Sequence, residues 1–358
     1  MKVLMISSDS KILEPNSDAA LRLKQYEALT DGIYPVLIAG RWNIGAFWRA
    51  YRDGVAIVKA QSRENMIISA QDPSERWIVG CLLSWRFSLP LHLQIHTDIL
   101  SPWYSGESLR NTMRRFIATT ILPRATSVRV VSERIKRSLM DISHLKNLTI
   151  DVLPIHVDVA QLLACDPPRS PEFDFIFLMV SRLTREKNIP VAIEAFKTVV
   201  SAHPQTRLRI VGDGPERDSL YIISKKLELE NHIEFMGWQE NKTTIYQGAH
   251  TYLLTSNYEG YGRTVVEAMA MGLPVIMTDV GLAGGVLIHE ESGLVVPVSD
   301  KNALSRAMIR VIEDTSLREH LGQTGRDTVR SFISEDEYFK QYQRLWDECL
   351  SAWRTRKK

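Results

Sequence analysis

Short apolar runs alternate with longer stretches of helical period through the second half of the chain. FIFLMVS (175–181), LRIVGD (208–213), IEFMG (233–237), TYLLTS (251–256), PVIMTD (274–279) and LVVPV (294–298) have the length and composition of buried strands. Between them, IPVAIEAFKTVVSAHP, ERDSLYIISKKLEL and a stretch near 264–271 repeat their apolar residues every three or four positions. Strand–helix alternation of this kind predicts an α/β domain with a parallel sheet and helices on both faces.

The first half repeats the pattern less cleanly. Strands are predicted at KVLMIS (2–7), YPVLIAG (34–40), VAIVKA (55–60), LHLQI (91–95), SVRVVS (127–132) and LTIDVLP (148–154). The longest apolar stretch, WIVGCLLSWRFSLPLHLQI (77–95), is broken by Arg86 and Pro90, so it reads as a buried helix and a strand rather than a membrane span. After about residue 300 the period is helical, and the last segment (335–354) sets Tyr338, Tyr342, Leu345, Cys349, Leu350 and Trp353 on one helical face. ACDPPRSPEFD (164–174) has three prolines and no apolar period, which marks a linker. The expected organisation is two Rossmann-like parallel-sheet domains facing each other across a cleft: residues 1–163, a linker at 164–174, residues 175–333, and a final helix over 334–358.

Composition agrees with two cores, since 358 residues exceed what one core usually holds and 44% are apolar. The net charge of +2 hides an asymmetry: residues 1–160 carry 20 Lys/Arg against 15 Asp/Glu, whereas the remainder carries 24 against 27. No strong basic stripe of a nucleic-acid binder results, so no nucleic-acid partner is expected. The three cysteines, Cys81, Cys165 and Cys349, have no metal-like spacing and cannot form a complete disulfide framework. With MKVLMISSDS too short in apolar residues for a secretory segment, a reducing cytoplasm is the expected setting.

In open parallel sheets, ligands bind where strands end and helices begin. After FIFLMVS the chain reads RLTREKN, placing Arg182 and Lys187 just before a helix started by Asn188 and Pro190, an arrangement suited to a diphosphate. Solvated loop charges are the alternative reading of this pair. GDGPERDSL (212–220) ends the next strand with a tight turn, and Asp213 is a plausible cap for the helix after it; a ligand contact is the other reading of this motif. EGYGRTVVEAMAMGLP (259–274) contributes Glu259 and Glu267. Thr264 and Glu267 have capping-box spacing, which explains Glu267 structurally and leaves Glu259 unexplained. A glycosidase dyad needs carboxyls about 5 to 9.5 Å apart. Eight helical residues would separate these backbones by about 12 Å, so two contacts to one elongated ligand fit better.

These segments, VSRLTREKN, LRIVGDGPERDSL, IEFMGW, SNYEGYGRTVVEAMAMGLPVI and ESGLVVPVSDKNAL, stand in order over roughly residues 175–310. Together they resemble the family-four retaining glycosyltransferases of the GT-B fold, two Rossmann-like domains with a C-terminal helix crossing back to the first. The resemblance implies an N-terminal acceptor side and a C-terminal donor side. It implies transfer of a hexose from a UDP- or GDP-sugar to a hydroxyl of a saccharide or lipid-linked acceptor, with retention, in cell-envelope or polysaccharide biosynthesis. No cofactor and no metal are implied. A nucleotide-sugar epimerase or hydrolase of the same fold, or a non-catalytic nucleotide-sugar-binding subunit, is the competing reading.

By the same resemblance Arg182 and Lys187 hold the diphosphate and Glu267 the ribose, while Glu259 sits at the donor sugar. The segment Gly260, Tyr261, Gly262, Arg263 and Thr264 lies at the donor, with the amides of the last three facing the phosphates. The base lies near Gly237 and Trp238. In the first half, His96 follows a strand end where the family has a histidine close to the donor sugar, and Asp98 either assists it or caps the segment after it. One departure is SSDSKILEPNSD (7–18), where family members often have glycines; Ser8 and Asn16, with Ser7 and Ser17, are the candidate substitutes. Asn188 replaces a common glycine, a mild change because asparagine tolerates left-handed backbone angles. Finally, RWNIGAFWRAYR (41–52) and RNTMRRF (110–116) mix aromatic and apolar residues with arginines. Each reads either as a segment lying on anionic lipid, giving peripheral contact with the inner face of the membrane, or as a half-packed helix with a solvated basic face.

Overall fold

The computed structural model describes residues 1–38, 43–145, 148–166 and 175–356. It divides into two compact units, Met1–Pro154 with Ile333–Lys358, and Ile155–Phe332. Unit 1 holds strands β1 (Lys2–Ser7), β2 (Gly32–Leu37), β3 (Met66–Gln71), β4 (Leu91–Ile95), β5 (Ser127–Val130) and β6 (Ile150–Val152), in the spatial order β2-β1-β3-β4-β5-β6. Unit 2 holds β7 (Phe175–Val180), β8 (Thr206–Val211), β9 (Ile233–Gly237), β10 (Thr251–Leu254), β11 (Val275–Thr278) and β12 (Leu294–Val296), in the order β12-β11-β10-β7-β8-β9. Every pairing within the two sheets is parallel. The doubly wound α/β architecture expected of each half is present.

One predicted strand is a helix. VAIVKA forms the end of the helix Ile44–Ala60, in which Phe47, Ala50, Gly54 and Val58 make the buried face at helical spacing. The third strand comes instead from MIISAQ, whose first five residues are buried. A short apolar run reads alike in either state, and here the longer helical period decided the outcome. Residues 39–40 of the predicted strand 34–40, Arg41 and Trp42 of the first basic-aromatic segment, and residues 167–174 of the linker lie outside the described residues. Residues 155–163 fall in unit 2, where Arg326 Nη2 donates to the Leu163 and Cys165 carbonyls, both at 2.7 Å.

The final helix, Glu335–Arg356, belongs to unit 1. Its Tyr338, Phe339, Tyr342 and Trp346 pack with Tyr26 on a core of Val3, Met5, Ile33, Ile67 and Leu153. Tyr26 meets the rings of Phe339, Tyr342 and Trp346 at 5.2, 4.8 and 5.5 Å. Such pairs add about 0.5 to 1.5 kcal/mol each beyond area burial.

His92 lies inside the unit 1 sheet on β4, fully buried, with Nδ1 2.9 Å from Ser127 Oγ and no partner for Nε2 among the described residues. Burial first, and the Arg129 charge second, push its pKa down to about 3. Folding therefore favours the neutral ring. Its contribution is complete above pH 6.5 and is lost as pH falls toward 3, with a slope of up to about 1.4 kcal/mol per pH unit for one proton. In urea unfolding across that window, His92→Phe should flatten the pH dependence by up to this slope. An unchanged slope would show that His92 takes up no proton on unfolding.

Candidate active site

Unit 2 changes winding direction between two neighbouring strands. From β7 the sheet extends through β8 to β9; the chain then returns to β10, on the other side of β7, and extends through β11 to β12. In a doubly wound sheet the crevice for a ligand opens at such a reversal, outside the carboxyl ends of the strands. Here those ends carry the loops 181–188 and 255–262.

Three backbone-directed or amide contacts hold the two loops together. Thr255 Oγ1 donates to the Lys187 carbonyl at 2.9 Å, the Asn257 amide donates to the Glu186 carbonyl at 2.8 Å, and Asn188 Nδ2 donates to Asn257 Oδ1 at 2.8 Å. Asn188 reaches this position in the left-handed region, at φ 47°, which is the backbone angle the sequence substitution required it to tolerate. Across this frame Lys187 Nζ donates to Glu259 Oε1 at 2.5 Å, and Ser256 Oγ donates to the same oxygen at 2.8 Å. The Lys187 and Glu259 side chains are only 16% and 14% exposed. Arg182, earlier in the same loop as Lys187, is 74% exposed, with Nη2 3.1 Å from Glu186 Oε1.

The loop that carries Arg182 is braced from below by GDGPE. The Leu183 amide donates to the Asp213 carbonyl at 2.9 Å, and the Glu216 amide donates to the Leu183 carbonyl at 3.0 Å. Asp213 does not cap the next helix: that helix is Arg217–Lys226, with Glu216 at its N-cap, and Asp213 Oδ1 accepts from the Gly214 amide at 2.8 Å. The motif's visible work is structural, in bracing the loop rather than in capping.

Glu267 occupies a different environment. The helix Arg263–Ala270 begins at Gly262, whose φ of 107° needs a glycine, and no side chain caps it. The capping box suggested by Thr264 and Glu267 is therefore not formed. Thr264 Oγ1 lies 2.6 Å from the Tyr252 hydroxyl. Glu267 is buried, with Oε2 accepting from the Tyr246 hydroxyl at 2.8 Å and Oε1 accepting from Lys242 Nζ at 2.9 Å. Burial and then the Glu267 charge raise the Tyr246 pKa well above its usual value, so this phenol stays a donor. Glu259 and Glu267 share no hydrogen-bond partner among the described residues, unlike two carboxyls that share one proton.

The remaining donor-side candidates divide by exposure. Gly260 and Tyr261 are buried, burial raises the Tyr261 pKa, and the Tyr261 carbonyl accepts from the Leu282 amide at 3.0 Å. Arg263 is exposed; Gly237 ends β9 at φ 66°, and Trp238 beside it is exposed. Sequence reasoning missed Gly281, which is set at φ 56° against this turn. A Cβ there would lie 2.5 Å from the Tyr261 carbonyl oxygen and 2.9 Å from Glu259 Cβ.

Unit 1 has its own winding reversal, between β1 and β3. The loop after β1 exposes Ser8 and Asn16, the latter at φ 70°, so asparagine supplies the left-handed turn in a loop without glycine. Ser17 instead caps the helix Asp18–Ala28, accepting from the Ala20 amide at 3.1 Å. Ser7 Oγ donates to Gln71 Oε1 at 2.9 Å and joins the ends of β1 and β3. Asp98 is buried, its pKa is raised by that burial, and Oδ1 accepts from the Leu100 amide at 3.3 Å, a local turn contact.

His96 is held from both sides. Nδ1 lies 3.1 Å from Asp72 Oδ1, and Nε2 lies 3.4 Å from Arg129 Nη1. A guanidinium only donates, so the network places the His96 proton on Nδ1, toward Asp72. Burial works to raise the Asp72 pKa, but His96, with Arg76 behind, outweighs it and holds the carboxyl at about 2. Arg129 is buried, donating to the Leu153 and Pro154 carbonyls at 3.0 Å each, to the Tyr338 hydroxyl at 3.1 Å and to Gln94 Oε1 at 3.3 Å. Asp72 and Arg129 escaped the sequence reading. An arginine inside SVRVV was the available signal, because a buried strand rarely carries one without a task.

Two six-stranded doubly wound units of this kind have the GT-B fold. Residues 166–328 match the model of the family described as glycosyl transferases group 1. The N-acetyl-alpha-D-glucosaminyl L-malate synthase of Bacillus anthracis is 26% identical over 72% of this chain and 67% of its own length. The lipopolysaccharide core biosynthesis glycosyltransferase LpsD of Rhizobium meliloti is 30% identical over 51% of this chain and 52% of its own, so the chain spans about half of that relative. Among solved structures, the sucrose-phosphate synthase of Thermosynechococcus elongatus matches with a TM-score of 0.77 and 20% identity, over 98% of this chain and 100% of that one. Anabaena HepE in complex with UDP and glucose matches with a TM-score of 0.73 and 21% identity, over 97% and 99%.

Gly281 offers a test of the frame around Glu259. Gly281→Ala and Gly284→Ala both place a side chain at positive φ, 56° and 72°, yet only the first crowds neighbouring atoms, since nothing lies within 4 Å of a Cβ at Gly284. In thermal unfolding Gly284→Ala should cost about 1 kcal/mol and Gly281→Ala roughly 2 to 3 kcal/mol. Equal losses would contradict the close packing of Gly281 on the Glu259 turn.

Proposed function

We propose that the chain is a retaining glycosyltransferase that moves a hexose from a UDP- or GDP-sugar to a hydroxyl of a saccharide or lipid-linked saccharide, in cell-envelope or polysaccharide biosynthesis in the cytoplasm. The observation that carries this reading is the Lys187–Glu259 contact, with Arg182 in the same loop as Lys187, at the winding reversal of unit 2. An ammonium has three donors. Glu259 takes one, so Lys187 keeps capacity for phosphate oxygens while it stays joined to the carboxylate assigned to the sugar.

The donor then lies with its diphosphate on Arg182, Lys187 and the uncapped start of the helix Arg263–Ala270, where amides and the helix dipole favour negative charge. Glu267, with an acceptor oxygen on each side of its carboxylate, takes the ribose hydroxyls, and Gly237 with Trp238 borders the base. The bond from the anomeric carbon to the phosphate oxygen breaks as the acceptor oxygen bonds to that carbon from the same face. The acceptor proton passes to the departing phosphate. Charge grows on that phosphate in the transition state, so fixed cations there lower the barrier, and the reading needs no metal ion. The resemblance also gives His96 a contact to the donor sugar. UDP-bound HepE, and relatives whose names place them in lipopolysaccharide core and capsular polysaccharide biosynthesis, support the ligand and acceptor classes.

Thermal melting with a panel of nucleotides and nucleotide sugars tests the donor. A ligand at 100 times its Kd adds about 2.7 kcal/mol of stability, so a UDP or GDP compound should raise the melting temperature and an unrelated nucleotide should not. With the best donor and a saccharide acceptor, Arg182→Ala and Lys187→Ala should each lower kcat by about 100-fold. No shift with any UDP or GDP compound would contradict the reading, and a shift without transfer would point to a binding subunit.

A further inference from the structure

The helix Leu109–Ile121 in unit 1 is amphipathic in an unusual sense. Its inner face is conventional, burying Asn111, Ala118 and Ile121. Its outer face carries Leu109, Met113 and Phe116, 86%, 62% and 71% exposed, spaced by four and three residues so that they form one stripe. Single exposed apolar residues are ordinary, but three large ones aligned on a helix mark a contact surface. Trp103, 46% exposed on the preceding helix Pro102–Glu107, adds a fourth apolar group just before the stripe.

The charges beside the stripe choose the partner. Arg110 and Arg115 are exposed and, at 100° per residue, fall on opposite flanks of it; Arg114 lies half-buried between the inner face and Arg110. Residues 109–124 contain four arginines and no aspartate or glutamate. The nearest preceding carboxylate, Glu107, accepts a hydrogen bond from Asn111 Nδ2 at 3.1 Å. A protein partner would have to supply acids on both rims of an apolar centre. An anionic bilayer supplies both at once, with acyl chains for the stripe and phosphates for the arginines. The other basic-aromatic segment offers less, because the helix Ile44–Ala60 turns Phe47 and Ala50 inward and leaves Ile44 and Trp48 as its exposed large apolar residues. No helix among the described residues is long and apolar enough to cross a membrane, so contact through this helix would be peripheral.

We propose that the outer face of Leu109–Ile121 docks unit 1 on an anionic lipid surface, with Leu109, Met113 and Phe116 entering the interface and Arg110 and Arg115 meeting headgroup phosphates. The proposal stands apart from the catalytic reading, since it needs none of the donor-site residues.

The full chain is sedimented with vesicles of phosphatidylcholine alone and of phosphatidylcholine with phosphatidylglycerol, at low and high salt. Wild type should partition onto the anionic vesicles at least about tenfold more than onto neutral ones, and high salt should release it. Leu109→Gln with Phe116→Gln, and separately Arg110→Glu with Arg115→Glu, should each lower that partitioning by about tenfold while far-ultraviolet circular dichroism stays unchanged. Absence of wild-type binding, equal binding to neutral vesicles, or variants that bind like wild type would each overturn the proposal. Concentration-dependent self-association lost in the Leu109/Phe116 variant, with no vesicle binding, would assign the face to a second copy of the chain instead.

Discussion

The contact between Lys187 and Glu259 joins the two strands between which unit 2 reverses its winding. Lys187 ends the loop after β7, and Glu259 lies in the loop after β10. The sheet order brings these loops together although 72 residues separate them along the chain. A salt bridge in this setting, with both side chains mostly shielded from water, has little room to rearrange, and removing one partner would leave the other charge poorly compensated. The backbone contacts of Thr255 and Asn257 fix the frame, so the ion pair is positioned by hydrogen bonds that do not involve its own charges. Preorganisation of this kind is what a site needs if its cations are to stabilise charge that appears only as a bond breaks.

The second carboxylate obeys a different logic. Glu267 is inside the unit, where it accepts from a phenol that burial keeps protonated and from Lys242 at the surface. Glu259 faces a cation and a hydroxyl at the crevice; Glu267 faces a phenol and a cation one helix further on. The two carboxylates therefore have separate hydrogen-bond partners, as two contacts to one elongated molecule would require.

Much of this was legible in the sequence, for identifiable reasons. Strands such as FIFLMV and LRIV, flanked by helices of clear period, could hardly have folded otherwise, and loop positions after them followed from the geometry of parallel sheets. Arg182, Lys187 and Glu259 stood out because each sits within a few residues of a strand end. Local reasoning failed where a short run was ambiguous, as in VAIVKA, and where two plausible local bonds competed, as at Thr264 and Glu267. It also could not see Asp72, Arg129 or Gly281. Their roles depend on neighbours distant in sequence: His96 for the first two, and the Glu259–Tyr261 turn for the third.

The central claim is that the two glutamates serve different parts of one donor, and calorimetric binding of the nucleoside diphosphate alone tests it most directly. That ligand has the ribose and phosphates but no hexose. Glu267→Ala should weaken its binding by roughly 10- to 100-fold, the loss of one or two hydrogen bonds to a charged group. Glu259→Ala should leave binding unchanged or tighter, because Lys187 is freed for phosphate, while transfer from the complete donor is lost. Equal weakening by both substitutions, or wild-type affinity in Glu267→Ala, would contradict the division of labour.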